Sequence, residues 1–315
     1  MASSDIEARL AAIEAAVCRE VGRGAAPLMA ATKGHLARAA RALAASERPV
    51  VGIMTGFFVP TLDPPMAETD GPVGAAHLAA AFAACGWPVR LCTDAPCAGA
   101  LTAALRGAGV ASDPRVAVDV VERDGAPSAS ATVASVAGRW RAAGVTHVIA
   151  IERCGRAADG KSYTMRGIDV SASAILLDDL YTAGDWVRIA IGDGGNEVGM
   201  GALPRELIAA SVPNGATIAC VTPAEHLIVC GVSNWGAYGL LAALALLLPA
   251  RAADLLATLT PAIDLHILET LVHDGPSADP VANVRGAWVD GFAHPVHAEV
   301  ITKVLSAVQG APAPA

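Results

Sequence analysis

A chain of 315 residues with 54% hydrophobic and 17% charged residues is long and apolar enough to bury a large core, which excludes a disordered chain. Its formal charge of -8, with no run of Lys and Arg interleaved with aromatics, argues against nucleic acid as a partner. Seven cysteines without a C-x-x-C pair argue against a zinc knuckle or a disulfide framework and for reduced, buried thiols in a cytoplasmic protein.

In chain order, the first twenty residues carry four acidic groups and no continuous apolar core, so they predict an amphipathic helix over 5–20 and not a signal peptide. A second helix is expected over 28–45. Six short apolar runs then read as strands: "PVVGIM" (49–54), "PVRLCT" (88–93), "VAVDVV" (116–121), "THVIAI" (146–151), "WVRIAI" (186–191) and "ATIACV" (216–221). Between them the Ala-rich segments near 73–85, 97–107, 130–143 and 171–183 have helical length, and further helices are expected over 236–248, 262–273 and 295–308. Strand followed by helix, repeated, predicts an α/β fold: a doubly wound, largely parallel sheet with helices on both faces. The expected layout is N-terminal helices over 1–48 packing on one α/β domain over 49–309, with a disordered tail over 310–315. The uncharged stretch 227–250 is long enough to span a bilayer, but "GVSNWG" interrupts it, and a short strand, a turn and a buried helix N-capped by Ser233 is the better account. No membrane partner is expected.

Ligands of open α/β sheets bind outside the carboxyl ends of the strands. After the first run come Glu68 and Asp70, after the second Asp94, after the fourth Glu152, Arg153, Arg156, Asp159, Lys161 and Arg166, and after the fifth "GDGGNEVGMG" with Asp193, Asn196 and Glu197. The segment "ETDGP" also suits a turn that caps the next helix. The loop over 152–168 is longer than a usual strand-to-helix connection, and long connections are more often functional. The glycine-rich stretch is open to three structural readings: a tight turn, an anion nest and a dinucleotide fingerprint. It lacks the dinucleotide pattern after the first strand and has no Lys followed by Ser or Thr, so no nucleotide cofactor is expected. Carboxylates at a strand end suit a metal or an amine instead. Asp178 and Asp179 in "DDLY" read as capping or surface groups, His294 and His297 as a solvated helix start, and His226 as an acid/base candidate near a strand end.

Taken together, "ETDGPVGA", "ERCGRAADGKSYTMRGIDVS", "IGDGGNEVGMG", "PAEHLIVCGVSNWG" and "VDGF" followed by "VHAEV" resemble the D-glutamate cyclase family, over the part that forms the C-terminal domain of the longer animal mitochondrial enzymes. The motifs run from about residue 50 to 305; their combined order is specific, whereas each alone is weak. One departure is Cys154, where the family pattern leads one to expect proline. The resemblance implies a carbon-oxygen lyase of D-amino acid metabolism that reversibly dehydrates D-glutamate to 5-oxo-D-proline.

That chemistry needs a base for the amine, an acid or a metal at the departing oxygen, and cations on the carboxylates. The candidate catalytic residues are Asp193, Glu197, Glu152 and His226; the candidate substrate-binding residues are Arg153, Arg156, Arg166, Asn196, Ser233 and Asn234. Glu68, Asp70, Asp193 and Glu197 are the candidate ligands of a divalent cation, Mg or Mn. The expected partner is a small amino-acid substrate, with a homo-oligomer left open. Two alternatives stand beside the lyase: a divalent-metal hydrolase or phosphoryl-transfer enzyme, and an amino-acid sensor without turnover.

Overall fold

A computed structural model describes residues 3–122 and 129–310. Three helices come first: α1 (Ser3–Val17), α2 (Ala26–Ala31) and α3 (His35–Ala44). The segment expected as one helix over 28–45 is broken between α2 and α3, where Gly34 takes φ +82°. Strand β1 (Val51–Thr55) follows, then the short strands β2 (Phe58–Val59) and β3 (Met66–Glu68) and helix α4 (Pro72–Ala84). Strand and helix then alternate through β4 (Val89–Asp94), α5 (Ala95–Gly107), β5 (Val116–Val121), α6 (Ala129–Ala142), β6 (His147–Ile151), the single turn α7 (Asp178–Tyr181) and β7 (Val187–Gly192). Next come α8 (Arg205–Ser211), α9 (Gly215–Ile218), β8 (His226–Val229), α10 (Ser233–Leu247), α11 (Ala252–Leu256) and α12 (Pro261–Asp274). The short strands β9 (Ser277–Ala278), β10 (Trp288–Val289) and β11 (Phe292–Ala293) lead into α13 (His294–Gln309). Of the tail expected over 310–315, residues 311–315 lie outside the described residues, as does the start of the chain before Ser3.

Six strands pair in parallel in the order β5-β4-β1-β6-β7-β8. This is the doubly wound arrangement, and the order reverses between β1 and β6, which opens a crevice beyond their carboxyl ends. Alternate residues of each strand face opposite sides of a sheet. Ile53, Ile149, Ile151, Ile189 and Ile191 accordingly enter one core with α4 and α10, while Met54, Val148, Ala150 and Ala190 enter a second core with Trp140, Tyr181 and Trp186. Burial of both faces explains why these runs read as continuously apolar.

The sixth strand is not the expected run at 216–221. Asn214, at φ +58°, places its carbonyl to accept from Thr217 N at 2.8 Å and Ile218 N at 3.0 Å, and this winds the run into α9. A short apolar run carries no periodicity that separates strand from buried helix. The sheet is completed by His226–Val229, and the apolar stretch that follows is a turn and then α10, buried along nearly its whole length. Among the described residues no single helix is long and apolar enough to cross a membrane. Of the helix expected over 171–183 only α7 forms, because Arg153 takes the Ile175 carbonyl and Asp94 the Ile175 amide.

His294 and His297 are not at a solvated helix start: both are buried where α13 meets α10 and α12. His297 Nδ1 accepts from Trp235 Nε1 at 2.8 Å, and His294 Nε2 lies 3.1 Å from Asp264 Oδ2. Asp264 also accepts from Tyr238 at 2.6 Å and lies 3.0 Å from His77 Nε2, so one buried carboxylate ties α4, α10, α12 and α13 together.

Candidate functional site

The crevice between β1 and β6 opens into a cavity of about 760 Å³, a size that suits a small molecule. Its wall carries Glu68, Asp70, Glu152, Asp193 and Asp290, with Arg23, Arg166 and Asn196. Oxygens of Asp70, Glu152 and Asp193 lie within 4.8 Å of one another. The strand ends that looked separate in the sequence thus supply one cluster.

Each acid of the cluster is placed by its backbone. Asp70, just before α4, caps a different helix: its Oδ2 accepts from Ser233 N and its Oδ1 from Asn234 N, both at 2.8 Å. In return Asn234 Oδ1 accepts from Gly71 N at 3.0 Å and Gly74 N at 2.7 Å, at the start of α4. Ser233 begins α10 and does not cap it; its hydroxyl donates to Glu152 Oε2 at 2.5 Å. Ser233 and Asn234, expected to bind substrate, are therefore fully buried supports of Asp70 and Glu152. Glu152 itself holds φ +39°, a conformation that non-glycine residues adopt at a cost and that recurs at functional sites. A Cβ on Gly71, at φ +93°, would sit 2.8 Å from the Glu152 Cβ and 2.7 Å from Thr55 Oγ1, so the approach of the two loops requires glycine there.

Burial raises all five carboxyls from their ordinary range, and their neighbours add to it. Asp70 is pushed up to about 8 by burial and then by Asp193. Asp290 is pushed up to about 7 by burial, against the pull of Arg23. Glu152 is raised well above the usual range by burial, then by Asp193 and Glu197, and Glu68 by burial, then by Asp70 and Asp290. Asp193 is likewise raised by burial, although Arg23 opposes the shift. Glu68 Oε1, Asp193 Oδ2 and Asp290 Oδ2 are enclosed and served by no amide, hydroxyl or cation; the carboxyls of Asp193 and Asp290, and those of Glu68 and Glu152, lie close enough to share a proton. Unpaired buried oxygens of this kind are uncommon in folded proteins.

Several expected site residues stand elsewhere. Glu197 does not line the cavity: its Oε1 accepts from Asp193 N at 2.8 Å and Gly194 N at 2.6 Å, and its Oε2 from Gly195 N at 2.7 Å. It closes the glycine loop around itself, with Gly195 at φ +100°, and so holds Asp193 in place. Glu197→Gln leaves one oxygen to serve three amides and should lower stability by about 2 kcal/mol in urea unfolding, the scale for buried donors left unpaired. Arg153 is buried beneath the cavity, donating to Asp94 Oδ2 at 2.9 Å and to the Gly56 carbonyl at 2.7 Å. Burial alone would raise Asp94, but this guanidinium holds it below the usual carboxylate range. β6 ends at Ile151, and the left-handed backbone of Glu152, φ +39°, turns the chain there, so the Glu152 and Arg153 side chains go to different places.

Arg156 pairs on the surface with Asp179 at 3.0 Å. Asp178 is buried, accepting from Arg156 N at 3.1 Å and from the Thr222 hydroxyl. His226 opens β8 opposite Ile189, three residues before the pair Val229 and Gly192 at the cavity end. At about 3.3 Å per residue it lies roughly 10 Å from that end, toward the amino edge of the sheet, and is no acid/base for the cluster. Asn196 does line the cavity, anchored by its amide to the Tyr163 carbonyl at 2.8 Å. Arg166 also lines it, exposed and with no ion-pair partner among the described residues.

Arg23 and Asp290 were not among the expected site residues. Arg23 Nη1 donates to Asp193 Oδ1 at 2.9 Å, and Nη2 to the Asp290 carbonyl at 3.2 Å while pairing with the Asp290 carboxylate. Asp290, at φ +59°, and Gly291, at φ +85°, form the turn between β10 and β11. An Asp-Gly pair between short apolar runs is a hairpin signal that the sequence does carry.

A doubly wound α/β protein with an acid cluster at its switch point is the class that fold and site define. The chain belongs to the D-glutamate cyclase-like, C-terminal family, whose model matches residues 13–305. Over 200 residues it is 32% identical to the human protein "D-glutamate cyclase, mitochondrial", a match that takes in 62% of this chain and 32% of the human one. The matched part is thus about a third of that relative's length.

Proposed function

We propose that the protein is a lyase that interconverts D-glutamate with 5-oxo-D-proline and water. The observation that carries this reading is one cavity in which buried carboxyls of raised pKa face a free guanidinium at the rim. In the forward direction the substrate ammonium gives up two protons, its nitrogen bonds to the γ-carbon, and a γ-carboxylate oxygen leaves carrying both protons as water. Asp193, which the Arg23 guanidinium draws toward the ionised form against its burial, is the group placed to take a proton from the amine. Glu68, whose enclosed carboxyl is pushed well above the ordinary range by burial and then by Asp70 and Asp290, is placed to give one to the departing oxygen. Arg166 pairs with a substrate carboxylate at the mouth of the cavity.

The donor set of Asp70, Glu152 and Asp193 fits a divalent cation such as Mg or Mn, since three carboxylates converge and Asp193 keeps a free oxygen. Such an ion, when bound, supplies Lewis-acid stabilisation of the charge on oxygen.

Incubating the purified chain with D-glutamate and Mn²⁺, followed by chiral detection of 5-oxoproline, tests the reading. Accumulation of the D product supports it. Binding of D-glutamate without turnover would favour an amino-acid sensor instead. Arg166→Lys keeps the charge but loses the planar fork, so KM should rise about tenfold with kcat little changed; an unchanged KM would remove Arg166 from the substrate contacts.

A further inference from the structure

Arg23 enters the acid cluster from outside the sheet, on the loop between α1 and α2, and that loop is built to deliver it. Glu20 Oε1 accepts from the amides of Val21, Gly22, Arg23 and Gly24 at 2.7–3.3 Å, and Oε2 from Ala26 N at 2.6 Å. Gly24, at φ +83°, lies where a Cβ would meet the Ser211 carbonyl oxygen at 2.3 Å. On the other side, Asp279 accepts from Gly291 N at 2.8 Å and so fixes the turn that carries Asp290.

Three oxygens converge on the Arg23 guanidinium: Asp193 Oδ1, the Asp290 carboxylate and the Asp290 main-chain carbonyl. Two carboxylates and a carbonyl are hard donors of the kind that hold Mg²⁺, Mn²⁺ or Ca²⁺. Asp193, 3% exposed, and Asp290 each keep an enclosed oxygen, Oδ2, that no amide, hydroxyl or cation serves, and the two carboxyls lie close enough to share a proton. Asp193 also belongs to the group of three acids, with Asp70 and Glu152, that could hold an ion. The guanidinium therefore stands where a second cation of a paired centre would stand.

We propose that Arg23 is a built-in substitute for a second cation: it restricts the acid centre to one divalent ion, and removal of its side chain opens a second divalent site between Asp193 and Asp290. The proposal rests on the reading of Asp70, Glu152 and Asp193 as a cation centre only for the number of ions in the wild-type chain. A fixed positive charge a few ångströms from a candidate ligand set repels an incoming dication strongly in a poorly solvated site. Lysine at this position keeps that charge, whereas alanine and glutamine do not.

Equilibrium dialysis of the full chain against Mn²⁺, with the bound metal quantified, tests the count in the wild type, Arg23→Ala, Arg23→Gln and Arg23→Lys. The expected result is one more ion per chain in the Ala and Gln variants than in the wild type, the wild-type number in the Lys variant, and loss of the extra ion when Asp290→Asn is added to Arg23→Ala. An unchanged count in Arg23→Ala and Arg23→Gln overturns the proposal, whether the wild type holds one ion or none. A wild type that binds two ions overturns it as well. No ion in the wild type with one in Arg23→Ala supports it and sinks the three-acid centre instead, so the two readings fail separately. If both neutral variants stay unfolded in chelator and in Mn²⁺, the ion does not replace the guanidinium and the proposal falls.

Discussion

Asp193→Asn is expected to lower turnover of D-glutamate by roughly a hundredfold or more, the usual scale for losing a proton-transfer group. The substitution keeps the shape of the side chain, and Arg23 keeps its ion pair with Asp290, so the chain should still fold. In chelator its melting temperature should match or exceed that of the wild type. Burial opposes ionisation of Asp193, Arg23 favours it, and Asp290 and Glu197 oppose it; burial prevails, and an amide whose oxygen still accepts from Arg23 removes that net conflict. The contrast with Glu197→Gln is informative because the two acids lie in one loop but face different ways. One should move chiefly turnover and the other chiefly stability. Wild-type turnover in Asp193→Asn would take this residue out of the chemistry.

The second large effect concerns pH and metal. The folded pKa values of Asp70, about 8, and Asp290, about 7, lie above the ordinary carboxylate value near 4. Between about pH 4 and these values the folded chain holds protons that the unfolded chain has released. The contribution of these acids to the stability of the metal-free protein therefore falls as pH rises through this window, by about 1.4 kcal/mol per pH unit for each proton so held, whereas His35, His147, His226 and His297, held below the usual imidazole range by burial, act the other way only below about pH 6.5. The melting temperature in chelator should drop by several degrees between pH 6.5 and 8, where the histidines are neutral in both states. A divalent cation competes with those protons, so saturating Mn²⁺ should raise the melting temperature more at pH 8 than at pH 5.5, by the scale of about 2.7 kcal/mol at a hundredfold excess over Kd. Melting that is flat with pH, or Mn²⁺ that acts equally at both values, would contradict this arrangement of acids.

How much of this was legible in the sequence follows from what each residue depends on. The strands at β1, β4, β5, β6 and β7 carry apolar, β-branched runs bounded by helical segments, and local pattern is enough to find them. Asp70, Glu152 and Asp193 were placed on one rim by the switch-point rule alone, and they meet there. The run at 216–221 misled because its fate turns on Asn214 adopting a left-handed backbone, which periodicity does not report. Glu197 and Arg153 looked like site groups because their charge is visible in sequence and their direction is not. One is spent on three amides of its own loop and the other on Asp94. Arg23 had no signal at all: it lies before the α/β alternation begins and reaches Asp193, 170 residues away, only through tertiary packing.

A crystal structure of the chain soaked with Mn²⁺ and 5-oxo-D-proline, recorded with anomalous scattering at the manganese edge, tests the central claim most directly. The account predicts a manganese peak bounded by Asp70, Glu152 and Asp193, with the organic ligand in the same cavity between that ion and Arg166. Manganese and ligand at separate places, or a cavity that takes neither while the protein still turns over D-glutamate, would contradict it.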